Sequence, residues 1–134
     1  MNLSQLKRTA RRTARIADYL PIETDATINV RLLSPGEQRD VANMLIETVF
    51  VPDDEGKIVP EMRQNLPASN IRLYQLATDG WDGISMDGET PLVCNKDGKH
   101  RLMDALPDIV DLVVKIHGEM AREVEEGKAE QVKN

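Results

Sequence analysis

The chain has 134 residues, 40% hydrophobic and 30% charged, with a formal net charge of −6, which bounds it to about one domain with a single core. That acidity argues against general nucleic-acid binding, because neutralising phosphates requires a basic surface. Tyr19, Phe50, Tyr74 and Trp81 are its four aromatics and Cys94 its one cysteine, so the core must be aliphatic and an intrachain disulfide framework is excluded.

Charge is uneven along the chain. Lys7, Arg8, Arg11, Arg12 and Arg15 crowd the beginning, and Glu119, Glu123, Glu125, Glu126 and Glu130 the end. Such asymmetry suits either attraction between the two ends or docking on partners of opposite charge. Residues 4–19 read as a first helix, with Leu6, Ala10, Thr13, Ala14, Ala17 and Leu20 at helical spacing. Arg8, Arg11, Arg12 and Arg15 lie opposite them as a basic face, either solvated or offered to an acidic partner. Pro21 stops this helix. The expected organisation is a basic N-terminal helix over 1–22, a mostly helical domain over 23–127 and a disordered tail over 128–134, which has little to bury.

Ile28, Val30 and Leu32 alternate with Thr27, Asn29 and Arg31, the two-residue period of a half-buried strand. A lone strand is not stable in water, so this one pairs with residues 90–94 or with a second copy of the chain. Ser34, Pro35 and Glu37 make a capping box with proline at the first helical position. The helix they open carries Val41, Met44, Leu45 and Val49 on one stripe, with Phe50 near its end. Pro52, Asp53, Asp54, Gly56, Pro60 and Pro67 then break every period, which predicts a surface excursion over 51–67 with at most a short strand at Ile58-Val59.

Residues 70–78 fit a strand through Ile71 and Leu73, and a helix through Ile71, Tyr74 and Ala77 with Ser69 as cap and Gly80 beyond its end; the helix is favoured. The Asp-Gly pairs at 82–83 and 87–88, ahead of Pro91 to Cys94, predict a small β-hairpin. Asn95 caps a segment carrying Leu102, Met103 and Leu106, and Pro107 opens a last long helix. Ile109, Val113, Ile116 and Met120 recur along that helix, widened by Leu112, Ala121 and Val124. The expected fold class is therefore mainly α: a small helical domain with a short strand or hairpin element and a long C-terminal amphipathic helix.

Residue chemistry argues against an enzyme. Cys94, His100 and His117 lack the paired spacing of a zinc site. The acidic stretches Asp53 to Gly56 and Asp79 to Glu89 do not match a calcium loop. Gly56-Lys57, Gly98-Lys99 and Gly127-Lys128 are followed by neither serine nor threonine, so none completes a phosphate loop. No cysteine or serine carries the base and third group that nucleophilic catalysis needs. We expect no cofactor, no metal and no catalytic residues. No apolar run approaches the roughly 20 residues of a membrane span, and no apolar signal core follows the basic start, so the protein is expected to stay inside the cell without membrane or nucleic-acid partners. Trp81 is either a core anchor or a binding hot spot.

The stretch Leu76-Ala-Thr-Asp-Gly-Trp81-Asp-Gly-Ile84, followed by Asp87-Gly88-Glu-Thr-Pro-Leu92 and the Leu106-Pro107-Asp108 junction, resembles a pattern of tailed-bacteriophage tail assembly chaperones. Val30 to Glu37 is similar to the strand-then-capped-helix opening of some of them, and the likeness spans most of residues 28–128. The basic first helix departs from the pattern. The resemblance implies a folding helper in the host cytoplasm, absent from the mature virion, which coats the tape measure protein and also meets tail tube subunits. A partner helix would be held by an aliphatic surface around Trp81, Leu112, Val113, Ile116 and Met120. The alternatives are a structural tail or virion adaptor, and a small regulator using Arg8, Arg11, Arg12 and Arg15 to bind nucleic acid or lipid.

Overall fold

The computed structural model describes residues 10–133, with side chains as far as Gly127. In chain order the described elements are strand β1 (Arg11–Arg15), a 3-10 turn (Ile16–Asp18), strand β2 (Thr27–Arg31), helix α1 (Pro35–Leu45), strands β3 (Ile46–Pro52) and β4 (Ile58–Gln64), helix α2 (Leu66–Ala77), strand β5 (Thr78–Asp82), and helices α3 (Lys96–Ala105) and α4 (Asp108–Lys133). The fold is mixed α/β, 47% helical and 26% strand, with five strands in two antiparallel sheets and four helices among the described residues. The expectation of a mainly α fold is thereby corrected, and two elements account for it.

The first is the N-terminal segment. Arg11–Arg15 is an edge strand of the sheet β1-β2-β5, where a helix over 4–19 was expected; residues 1–9 lie outside the described part. β1 pairs with β2 through Arg12 opposite Val30 and Ala14 opposite Ile28. β2 in turn pairs with β5 through Ile28 opposite Trp81. The alternating strand thus finds its partners in residues 11–15 and 78–82, neither of which is the 90–94 segment. A bulge between Asn29 and Val30 shifts the β2–β5 register, sharpening the local twist.

Period two then sorts the sheet into faces. Ala14, Ile28 and Val30 turn inward and are buried, whereas Arg11, Thr13 and Arg15 turn to solvent. Against the inner face lies α4, which also packs on α2. Its residues Ile109, Val113 and Ile116 are fully buried, and Leu112 and Met120 are 3% exposed. Tyr74 and Ala77 of α2 and Leu102 of α3 complete the core. Tyr74 reaches out of it only to donate its hydroxyl to the Lys99 carbonyl at 2.7 Å.

Capping follows the sequence closely. Ser34 Oγ accepts from the Glu37 amide at 3.3 Å while Glu37 Oε1 accepts from the Ser34 amide at 3.1 Å, the reciprocal pair of a capping box. Asn95 Oδ1 accepts from Gly98 N at 2.7 Å and so caps α3. The ambiguous 70–78 stretch lies mostly in α2, whose cap is Asn65 rather than Ser69. At its other end α4 runs to Lys133, into the stretch expected to be disordered.

Residues 46–64 are the second element that differs from expectation. The helix opened by the capping box ends at Leu45, and no residue of it is fully buried. Beyond it the chain forms a seven-residue strand, a turn and a second seven-residue strand, where the end of a helix and a surface excursion were expected. By contrast, the hairpin expected after Trp81 reduces to one bridge, Ser85 opposite Pro91, with Leu92 N donating to Ile84 O at 2.8 Å.

One buried polar contact couples sheet and helix. His117 is 8% exposed, and its Nε2 accepts from the Leu33 amide at 3.1 Å. It must therefore be unprotonated at that nitrogen. Burial, and secondarily the nearby Arg31, lower its pKa from the usual 6.5. Arg31 itself is bidentate to Glu37, at 2.8 and 2.5 Å, and that contact is the main cause holding the Glu37 carboxyl at about 2. Both pKa values lie below their unfolded values, so the unfolded chain binds more protons and stability falls as the pH falls. The expected urea midpoint is steady above about pH 6.5, drops as pH falls below it through His117, and drops again below about pH 4.5 through Glu37. His117→Gln, which keeps an acceptor oxygen, is expected to remove the first step alone; an unchanged first step in that variant would contradict the assignment.

Candidate functional site

Strands β3 and β4 form a ribbon that pairs with no other described strand, with Ile46 opposite Gln64, Phe50 opposite Pro60 and Pro52 opposite Ile58. Its sequence supplies the local reasons. Glu-Thr-Val-Phe-Val at 47–51 is rich in β-branched and aromatic residues. The turn closes through Asp53, whose amide donates to Lys57 O at 2.8 Å and whose carboxylate accepts from the amides of Glu55 and Lys57 at 2.9 and 2.8 Å. Gly56 sits at φ +80°, a conformation other residues rarely adopt.

The pleat divides this ribbon sharply. Ile46, Thr48, Phe50 and Pro52 share one face with Ile58, Pro60, Met62 and Gln64. On that face Ile46 is 53% exposed, Phe50 69%, Ile58 62% and Met62 71%. The other face carries the charged Glu47, Glu61 and Arg63 around half-buried Val49, Val51 and Val59. Among the described residues, none covers the apolar face.

The ends of the ribbon fix its hydrogen-bonding phase. Asp53 bonds Lys57 across the turn, and Asn65 N donates to Leu45 O at the base. Bonded pairs therefore alternate inward from both ends, which leaves Phe50–Pro60 and Pro52–Ile58 as non-bonded pairs. The backbone nitrogens of Pro52 and Pro60 accordingly point to the outer edges, where a strand adding to the ribbon would need N–H donors. Each free edge is blunted by one proline. This arm is available to a partner through its face and not through its edges.

At the base of the arm lies an open groove of about 280 Å³. Leu66, Pro67 and Ile71 of α2, Met103 of α3, and Pro107 and Val110 at the start of α4 wall it, and Asn70 and Asp111 supply its polar lining. Leu66 is 57% exposed. Two other depressions, of about 450 Å³ beside Met86 to Arg101 and about 490 Å³ beside Arg15 to Asp25, are larger but mix charged and apolar walls. A groove that is apolar with a few polar groups is the better receptor for a hydrophobic side chain.

The residues singled out from sequence are placed differently. Leu112, Val113, Ile116 and Met120 lie in the protein's own core, so they present no surface to a partner in this fold. Trp81 is half-buried in β5, its Nε1 donating to Leu92 O at 2.7 Å, which anchors the 84–92 loop to the sheet. Arg8 lies outside the described residues. Arg11 pairs with Asp79 at 3.0 Å and Arg15 is exposed on β1. Arg12 turns toward α4 and meets Glu119 at 3.2 Å and Glu123 at 2.6 Å. The Glu123 contact is the main cause of its raised pKa. For Arg12, the attraction between the basic beginning and the acidic end of the chain is an internal one. Neither the arm nor the groove was expected from sequence; the β-branched and aromatic run at 48–51 was the signal that could have found the arm.

His100 pairs with Asp104 at 3.3 Å along α3, and burial pushes the Cys94 thiol pKa up. Among the described residues no three His, Cys, Asp or Glu side chains gather as a metal-ligand group, and no helix is long and apolar enough to cross a membrane. Compared with known protein families, curated proteins and solved structures, the chain matches none.

Proposed function

We propose that this chain is a tail assembly chaperone of a tailed bacteriophage, which binds the tape measure protein in the host cytoplasm before the tail tube forms around it. Two observations support the reading. One is the ordered motif series from Val30 to Ile109. The other, which carries it, is the open apolar groove walled by Leu66, Ile71, Met103 and Val110. An amphipathic client helix presents side chains at i, i+3 and i+4, and a groove between helices receives such a ridge. Met103 gives the wall a flexible, polarizable side chain that adapts to different residues along a long client. The client surface inferred from sequence moves accordingly, from the buried stripe of α4 to the groove at its beginning.

Leu66→Asp tests this directly. Leu66 is exposed and opens α2, so an acidic residue there complements the helix N-terminus and is expected to leave stability within about 0.5 kcal/mol of the parent. Recovery of a co-expressed tape measure protein with the variant is expected to fall about tenfold or more, as for loss of an apolar contact residue. Undiminished recovery would place the client elsewhere. Finding the protein in purified virions would favour the adaptor reading instead.

A further inference from the structure

We infer that the β3–β4 arm is a dimerisation device, and that the apolar faces of two arms, one from each copy of this chain, pack against each other about a two-fold axis. Three observations lead there. A two-stranded ribbon with one face uncovered is marginal in water, and a second layer is what makes such a ribbon stable. Here the uncovered face holds Ile46, Phe50, Ile58 and Met62, each more than half exposed.

The face also reads as complementary to itself. Every charged side chain of the two strands, Glu47, Glu61 and Arg63, lies on the opposite side. A foreign partner selected by charge would find nothing to select. A second copy brings the same uncharged surface, and two such faces can stack about a two-fold as sheets do. The area suffices. At about 200 Å² per fully exposed large residue, a figure at the middle of the aromatic range, the fractional exposures of the four residues amount to roughly 500 Å² per copy. Two copies bury on the order of 1,000 Å² through these residues alone, about the area a biological interface must clear, and the exposed Thr48, Pro52 and Pro60 of the same face add to it.

The blunted edges then set the size of the assembly. Pro52 and Pro60 obstruct edge-to-edge pairing of further ribbons, whereas face packing about a two-fold is closed at two. The arm's apolar face is thereby protected without opening a route to fibres.

The experiment is sedimentation equilibrium of the full-length protein over a wide concentration range, beside Phe50→Asp and Met62→Asp. Neither residue belongs to the core, so both variants are expected to keep the parental circular dichroism and melting curve at concentrations where the parent is monomeric. The parent is expected to dimerise, and each variant to raise the dissociation constant by at least about 30-fold, the loss expected at a central contact. As a second readout, Thr48→Cys places a thiol on the apolar face; with Cys94→Ser it is expected to form an intersubunit disulfide on oxidation, and not to form it when Phe50→Asp is added. A parent that stays monomeric throughout, or a dimer indifferent to both aspartates, overturns the inference. So does a face that is covered only when a foreign chain is supplied. None of these outcomes bears on the groove, which Leu66→Asp tests separately.

Discussion

Ile116→Asp is expected to leave no cooperatively folded protein at neutral pH. The side chain is fully buried in α4, among Val113, Met120 and the inner face of the sheet. Losing the burial of an isoleucine costs about 2–3 kcal/mol, and an unpaired carboxylate in an apolar interior costs several more. Together these rival the whole stability of a domain this size, about 5–15 kcal/mol. Circular dichroism and a urea titration read the result. The comparison with Leu66→Asp gives the test its meaning, because the same acid is expected to be tolerated at the groove and fatal in the stripe. If Ile116→Asp folded with a parental midpoint, the stripe of α4 would be a free surface and the core would have been misplaced.

Gly98→Ala is expected to destabilise by about 1–3 kcal/mol, against the usual sign for that substitution. Within a helix, alanine ordinarily gains about 1 kcal/mol over glycine. At Gly98 an added Cβ would stand 1.9 Å from the carbonyl oxygen of Val93 and 3.3 Å from Asn95 Oδ1. Both atoms are committed: the first accepts from Asn95 N at 3.0 Å, and the second is the cap of α3. Neither is the loose end of a flexible side chain. Relief therefore requires moving the 93–95 backbone, and with it the neighbouring Leu92 carbonyl that holds the Trp81 indole. The urea midpoint and the tryptophan emission, which that indole reports, should shift together. A midpoint at or above the parental one would mean that the 93–98 turn has room the structure does not show.

Elements whose causes are local were legible in the sequence. Ser34, Pro35 and Glu37 specify a helix start within four residues, and Asn95 marks another. The alternation at 27–31 specifies a strand by its period, because its buried face is made of Ile28 and Val30. Elements stabilised from far away were not legible. β1 turns Arg12 and Ala14 inward, so its alternation is not one of hydrophobicity, and the acids that accept Arg12 lie more than 100 residues later. The spacing of Ala10, Thr13, Ala14 and Ala17 then imitates a helix.

The arm was hidden for a related reason. Prolines at 52 and 60 were read as breaking regular structure, yet both occupy non-bonded positions where a strand tolerates them. The groove could not have been read at all, since its walls are brought together from residues 66–71, 103 and 107–110 by the packing of three helices. A stripe of apolar residues on a helix shows that something covers it, without showing whether the cover is the same chain. For α4 it is the same chain; for the β3–β4 face the inferred cover is a second copy.

The measurement that bears most directly on the proposed function is co-expression with the tape measure protein that the chain is proposed to bind, followed by affinity recovery of the parent chain and of Leu66→Asp. The parent is expected to keep that long helical protein soluble and to elute with it, and Leu66→Asp to fold normally but recover about a tenth as much or less. A tape measure protein equally insoluble with and without the parent chain would contradict the proposed function, and equal recovery by both forms would contradict the groove as its binding site.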